Sequence, residues 1–146
     1  MKNMGSVSHG THREEDLIPE FIWTLEHQKP CMRKHRKMIA GIKSRMEEEG
    51  YYDGNDAAED VQELFDALDA YALPYFYFGA HPGDGSDFGF WLSENFEEDF
   101  DGPKVSASSE LPKGFAGEYL VVNNHGNVTL YVKGRNGHVR EIWGVV

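Results

Sequence analysis

From Glu47 to Pro103 the chain carries seventeen Asp and Glu residues and no Lys or Arg. The same stretch holds two aromatic blocks, Pro74-Tyr75-Phe76-Tyr77-Phe78 and Phe88-Gly89-Phe90-Trp91-Leu92. An unpaired carboxylate is costly in an apolar interior. A fold built on this stretch must therefore bury the aromatics while holding a dense set of carboxylates in water.

Upstream, Leu17, Ile18, Phe21, Ile22 and Leu25 recur at helical spacing and predict a first helix from Asp16 to about Gln28, with Asp16 as its cap. Met38, Ile39, Ile42 and Met46 predict a second, from about Met32 to Glu49. Its polar face holds the one basic cluster, Arg33, Lys34, Arg36, Lys37, Lys43 and Arg45. Such a face can bind nucleic acid or neutralise nearby acids. The second role suits a chain whose next segment is so acidic. Asp56-Ala57-Ala58-Glu59 has capping-box spacing, and Val61, Leu64, Phe65, Leu68, Tyr71 and Ala72 then trace a third helix. Glu59, Glu63 and Asp66 point away from its apolar face, with Asp60 and Asp69 flanking.

After Pro74 the period changes. The aromatic blocks read as two strands of a hairpin, joined by a nine-residue loop from Gly79 to Asp87 that is dense in turn formers. Ser93 to Asp101 is an acidic segment with Phe96 and Phe100 turned inward, and Lys104-Val105 suits a short edge strand. Glu118 to Val122, Val128 to Lys133 and Val139 to Val145 predict a β-meander, with Asn136-Gly137 as a type I′ turn. Grouped helices followed by grouped strands indicate an α+β fold: three N-terminal helices, then an antiparallel sheet of about five strands ending in the C-terminal meander. Residues 1–15 read as a flexible tail without the apolar middle of a signal peptide, and 16–146 as one domain.

A net charge of −11 argues against binding phosphate backbones or anionic membranes, and favours a basic protein partner. The single cysteine, Cys31, excludes an internal disulfide and suits a reducing cytoplasmic setting. No apolar run is long enough to span a membrane. No motif names a catalytic residue or a cofactor. His81, Asp84 and Asp87, in the hairpin loop, are the best candidates for a metal-dependent site. The calcium-loop template fails on them, because counting from Asp84 puts Phe88 and Asn95 where ligands are required.

The acidic surface carries the functional reading. Glu59, Glu63 and Asp66 span about 10 Å of one helix edge. Asp84, Asp87, Glu94, Glu97 and Glu98 extend the array beyond that helix. To a Lys- and Arg-lined channel such an array imitates a nucleic acid backbone, which carries a charge every ~1.7 Å of duplex.

The block from Pro74 to Leu92, with the ending His125-Gly-Asn-Val-Thr-Leu-Tyr and Glu141-Ile-Trp, resembles a family of small acidic proteins carried by phages, plasmids and integrative elements. The resemblance runs from about Asp16 to the end. It implies, by genetic setting, a role in a bacterial host cell countering host defence, in the manner of anti-CRISPR and anti-restriction proteins. The expectation is a non-enzymatic inhibitor that occupies the basic surface of a CRISPR or restriction effector. An immunity or antitoxin-like protein that neutralises a basic toxin is the alternative, and a small metal-dependent enzyme a third.

Overall fold

Helical periodicity is satisfied by three long helices, α1 (Glu14–Glu26), α2 (Arg33–Met46) and α3 (Asn55–Asp69). The expected apolar residues of α1 are all buried. Pro19 lies inside the helix, past its first turn, so the N–H it lacks would have bonded the Glu15 carbonyl. The caps differ from expectation. Arg13 precedes α1 and Gly54 precedes α3, and neither gives a side-chain cap. Asp16 sits inside the first turn, where its carboxylate accepts a 2.7 Å hydrogen bond from Thr11 Oγ1. An acid there is favoured by the helix dipole even without capping.

The computed structural model describes residues 3–145. By internal packing the chain forms two compact units, one up to Glu94 and one from Asn95 onward. The sequence reading over 16–146 contains no boundary at that point.

In the first unit the aromatic blocks become β2 (Phe76–His81) and β3 (Asp84–Leu92). The nine-residue loop is not formed. Pairing continues through Ala80↔Phe88 to His81↔Asp84, so only Pro82 and Gly83 lie between the strands. A third strand, β1 (Gly5–Ser8), pairs antiparallel with the other edge of β3, giving the order β1-β3-β2. It comes from the stretch read as a flexible tail.

Phe78, Phe88 and Phe90 turn toward α1 and α3. Phe21 meets Phe65 edge-on at 5.0 Å and Phe78 at 5.2 Å, and Phe65 meets Phe88 at 5.3 Å. Each buried side chain of this size contributes roughly 1.5–3 kcal/mol. The outer edge of β2 is closed by a side chain: Phe78 N–H donates to Asp69 Oδ1 at 2.9 Å.

In the second unit a short helix, α4 (Phe96–Asp99), precedes β4 (Lys104–Val105), β5 (Gly117–Val122), β6 (Val128–Lys133) and β7 (Val139–Val145). The order is β4-β5-β6-β7, with β4 parallel to β5 and the rest antiparallel. Leu120, Leu130 and Trp143 align across the sheet, and all are buried. Phe96 packs on Trp143 at 5.2 Å, and Phe100 is also buried, as their i,i+4 spacing predicts. The β6–β7 connection is not a two-residue type I′ turn, which needs positive φ at both central residues. It spans residues 134–138, with positive φ at Gly137 but not at Asn136, and Asn136 Oδ1 accepts from His138 N–H.

The fold is therefore α+β, but the expected single sheet of about five strands is two sheets, of three and four strands, among the described residues. The β2–β3 hairpin and the β5–β7 meander belong to different sheets; β1 extends the first, and β4, the expected edge strand, extends the second.

Candidate partner-binding surface

Glu59, Glu63 and Asp66 are exposed on α3, and none forms an ion pair among the described residues. Their neighbour Asp60 behaves differently. It is 4 % exposed and faces inward. Arg45 grips it at two points, Nε to Oδ2 at 2.9 Å and Nη2 to Oδ1 at 2.7 Å, and Tyr51 Oη donates to Oδ2 at 2.8 Å. Burial, and then the bond to Asp60, push the Tyr51 phenol well above its usual pKa. The bond to Asp60 raises Arg45 as well. Asp69, the other flanking acid, is engaged by Phe78 N–H. The outward ridge is thus the three residues Glu59, Glu63 and Asp66.

The remaining candidates are distributed. Asp84 opens β3, where Oδ1 accepts from Ser86 N–H at 3.0 Å and from Ser86 Oγ at 2.9 Å. Those bonds, and to a lesser degree His81 and His12, hold its carboxyl below the ordinary value. Asp87 is half-buried and accepts a 2.5 Å hydrogen bond from Ser6 Oγ, so it fastens β1 to β3. Glu94 is exposed just beyond β3. Glu97 and Glu98 are exposed on α4, in the second unit, where the Glu97 carbonyl accepts from Lys104 Nζ at 2.8 Å.

His81, Asp84 and Asp87 do not converge. His81 Nδ1 accepts from Gly83 N–H at 2.9 Å, while Asp87 is turned to Ser6. Among the described residues no group of three or more His, Cys, Asp and Glu is placed to hold a metal ion. Cys31 is buried. No helix among these residues is long and apolar enough to cross a membrane.

The basic cluster of α2 divides in two. Arg45 is spent on Asp60, Lys43 pairs with Glu26 at 2.9 Å, and Arg36 donates to the Cys31 carbonyl at 2.6 Å. Arg33, Lys34 and Lys37 are exposed and form no ion pair among the described residues. Part of the cluster therefore does neutralise acids.

Between α2 and α3 lies an open groove of 340 Å³, lined by Lys34, His35 and Met38 on one side and Glu63, Asp66, Ala67 and Ala70 on the other. At its base His35 Nδ1 is 2.7 Å from Tyr71 Oη, which also accepts from Met32 N–H at 2.8 Å. Hydropathy patterning does not reveal this groove, because its residues lie at the edges of two amphipathic faces. The one available sign was His35, a polar residue one turn before Ile39 on the buried side of α2.

Comparison with protein-family models, with curated proteins and with solved structures finds no match to this chain.

Proposed function

We propose that this protein is a non-enzymatic inhibitor, acting in the cytoplasm of a bacterial host, that docks the acidic ridge of α3 onto a basic, nucleic-acid-binding surface of a defence effector of the CRISPR or restriction type. The observation that carries the reading is the ridge itself. Glu59, Glu63 and Asp66 are exposed and unpaired on one helix, although α2 supplies three unpaired cations. Like charges one turn apart cost the isolated helix a few tenths of a kcal/mol. A cationic partner removes that cost and adds the entropy of released counterions. The sequence resemblance to mobile-element proteins supplies the class of partner. Asp84 and Glu94 are further contacts in this reading, as are Glu97 and Glu98. Asp87 is a structural residue, because Ser6 occupies it.

The test is a pull-down from host cells carrying defence systems, with the wild-type protein beside a Glu59→Lys, Glu63→Lys, Asp66→Lys triple variant. Recovery of a CRISPR or restriction complex by the wild type alone supports the reading. Equal recovery by the triple variant rejects the ridge. Recovery of a small basic toxin instead assigns the protein to the immunity class.

A further inference from the structure

Trp23 is one of three large apolar side chains left exposed among the described residues, at 52 %. It stands outside the buried stripe of α1, which is Leu17, Ile18, Phe21, Ile22 and Leu25. Nor is it isolated on the surface. It lines a cleft of about 220 Å³ between α1 and the edge strand β1, together with Met4, Val7 and Phe90, which at 2 % exposed is the most buried of the lining residues. His27 stacks on one face of the indole, with ring centres 4.0 Å apart and planes 22° from parallel, which holds the ring in place and leaves its second face open. The polar groups of the cleft are spent except for one. Thr24 Oγ1 donates to the Glu20 carbonyl at 2.9 Å, and Ser6 Oγ donates to Asp87. The Glu20 carboxylate forms no ion pair among the described residues, and no Lys or Arg lines the cleft or belongs to α1. The cleft therefore offers an aromatic face, an apolar wall and a single uncompensated carboxylate.

We propose that this cleft receives an arginine side chain of a protein partner. The guanidinium stacks on the Trp23 indole and meets the Glu20 carboxylate, while its methylene stem lies along Met4 and Val7. Charge complementarity selects the occupant. An anionic group meets Glu20 with no cation to offset it, and an uncharged apolar group covers that carboxylate without pairing it. Arginine suits the cleft better than lysine, because a planar guanidinium stacks on aromatic faces and is more weakly hydrated than an ammonium. The volume lies below the about 300–1,000 Å³ of drug-sized ligand sites, which fits one inserted side chain. Tryptophan and arginine are also the residue types that dominate interface energies. The inference adds a contact on a different element from the α3 ridge. It rests on the partner reading only in taking the arginine from a protein.

The experiment is an NMR titration of the isotope-labelled full-length protein with N-acetyl-arginine amide, which presents the side chain as a protein does. The comparison probes are N-acetyl-lysine amide, N-acetyl-citrulline amide and free L-arginine. The arginine amide should give saturable shifts at the Trp23 indole and at amides 4–8 and 20–24, in the millimolar range. The lysine form should bind more weakly, and the uncharged citrulline form about fivefold or more weakly, having lost both the stacking cation and the ion pair. Trp23→Leu and Glu20→Gln replace exposed side chains, and each should weaken binding about two- to fivefold. Glu59→Gln, outside the cleft, should leave it unchanged. No saturable shift up to about 50 mM overturns the proposal. So does equal binding of citrulline, or an equal loss in Glu59→Gln, which would reduce the effect to general charge attraction. Free L-arginine binding tenfold more tightly than the amide would make the occupant a free amino acid and overturn the protein assignment. The titration contains no partner, so its outcome is independent of whether the α3 ridge finds one.

Discussion

Arg45 and Asp60 form a two-point ion pair from one helix to the next, with both carboxylate oxygens used and Tyr51 completing the set. The Asp60 side chain is 6 % exposed and the Arg45 side chain 37 %. Removing one partner leaves the other charge poorly solvated. Asp60→Ala should therefore cost about 3 kcal/mol, the low end of the buried-pair range, because Arg45 can still reach water. Tyr51→Phe should cost about 1 kcal/mol, one hydrogen bond. Urea unfolding of the two variants and of Arg45→Met checks this. A double-mutant cycle should show coupling between positions 45 and 60, and its absence would mean that the pair is ornamental.

Gly89 fixes β1 in place by having no side chain. A Cβ there would fall on the Gly5 carbonyl oxygen, with Gly5 C and Ser6 Cα each at 2.9 Å. These are backbone atoms and cannot rotate away. Gly89→Ala should detach β1 while α1, α3, β2 and β3 stay packed, at a cost of about 1–3 kcal/mol. Hydrogen exchange should show amides 5–8 losing protection while those of β2 keep theirs. Unchanged protection of amides 5–8 would contradict the close approach.

Both features bear on what was legible in the sequence. Helices and meander strands follow from periodicity, and Phe96 with Phe100 from spacing alone. β1 was not legible, because Gly5-Ser6-Val7-Ser8 has one large apolar residue and becomes a strand only by pairing with β3. The tight hairpin was hidden for a related reason. Asp84 to Asp87 are turn formers by preference, and cross-strand pairing overrides that preference. Asp60 was assigned to the outer flank, yet it stands i,i+4 from the fully buried Leu64, on the inner side. The sequence could not supply its cation, which comes from another helix. Of the proposed surface, the α3 ridge was legible because exposure follows from helical period. The groove was not, because it exists only where two helices meet.

The short helix of the second unit is held by aromatic packing, with Phe96 on both Trp143 and Phe100. Phe96 is 2 % exposed and lies on Trp143, which is 3 % exposed. Phe96→Ala should destabilise this unit by about 3–5 kcal/mol. The loss should appear as a red shift of Trp143 emission at lower urea than in the wild type, followed with Trp23 and Trp91 replaced by Phe. Coincident, unshifted transitions would show that α4 contributes nothing to that core.

His35 makes stability depend on pH in a stated direction. Burial, and then the charge of Lys34, lower its pKa in the folded protein. Its ring faces Tyr71 from the end of α3 and shares the groove with Glu63 and Asp66, while Cys31 and Arg36 lie close to Tyr71. The unfolded chain has the ordinary value, about 6.5. Between that value and the lowered one the unfolded state binds more protons, so stability rises with pH across the window. It is fully present above about pH 6.5, falls as pH drops through the window, and is flat again once the folded form has also protonated. Urea midpoints at closely spaced pH values should show this slope in the wild type. His35→Gln, which carries no titrating proton, should lose it while keeping the rest of the acid limb set by the carboxylates. A variant whose slope matches the wild type would remove His35 as the cause.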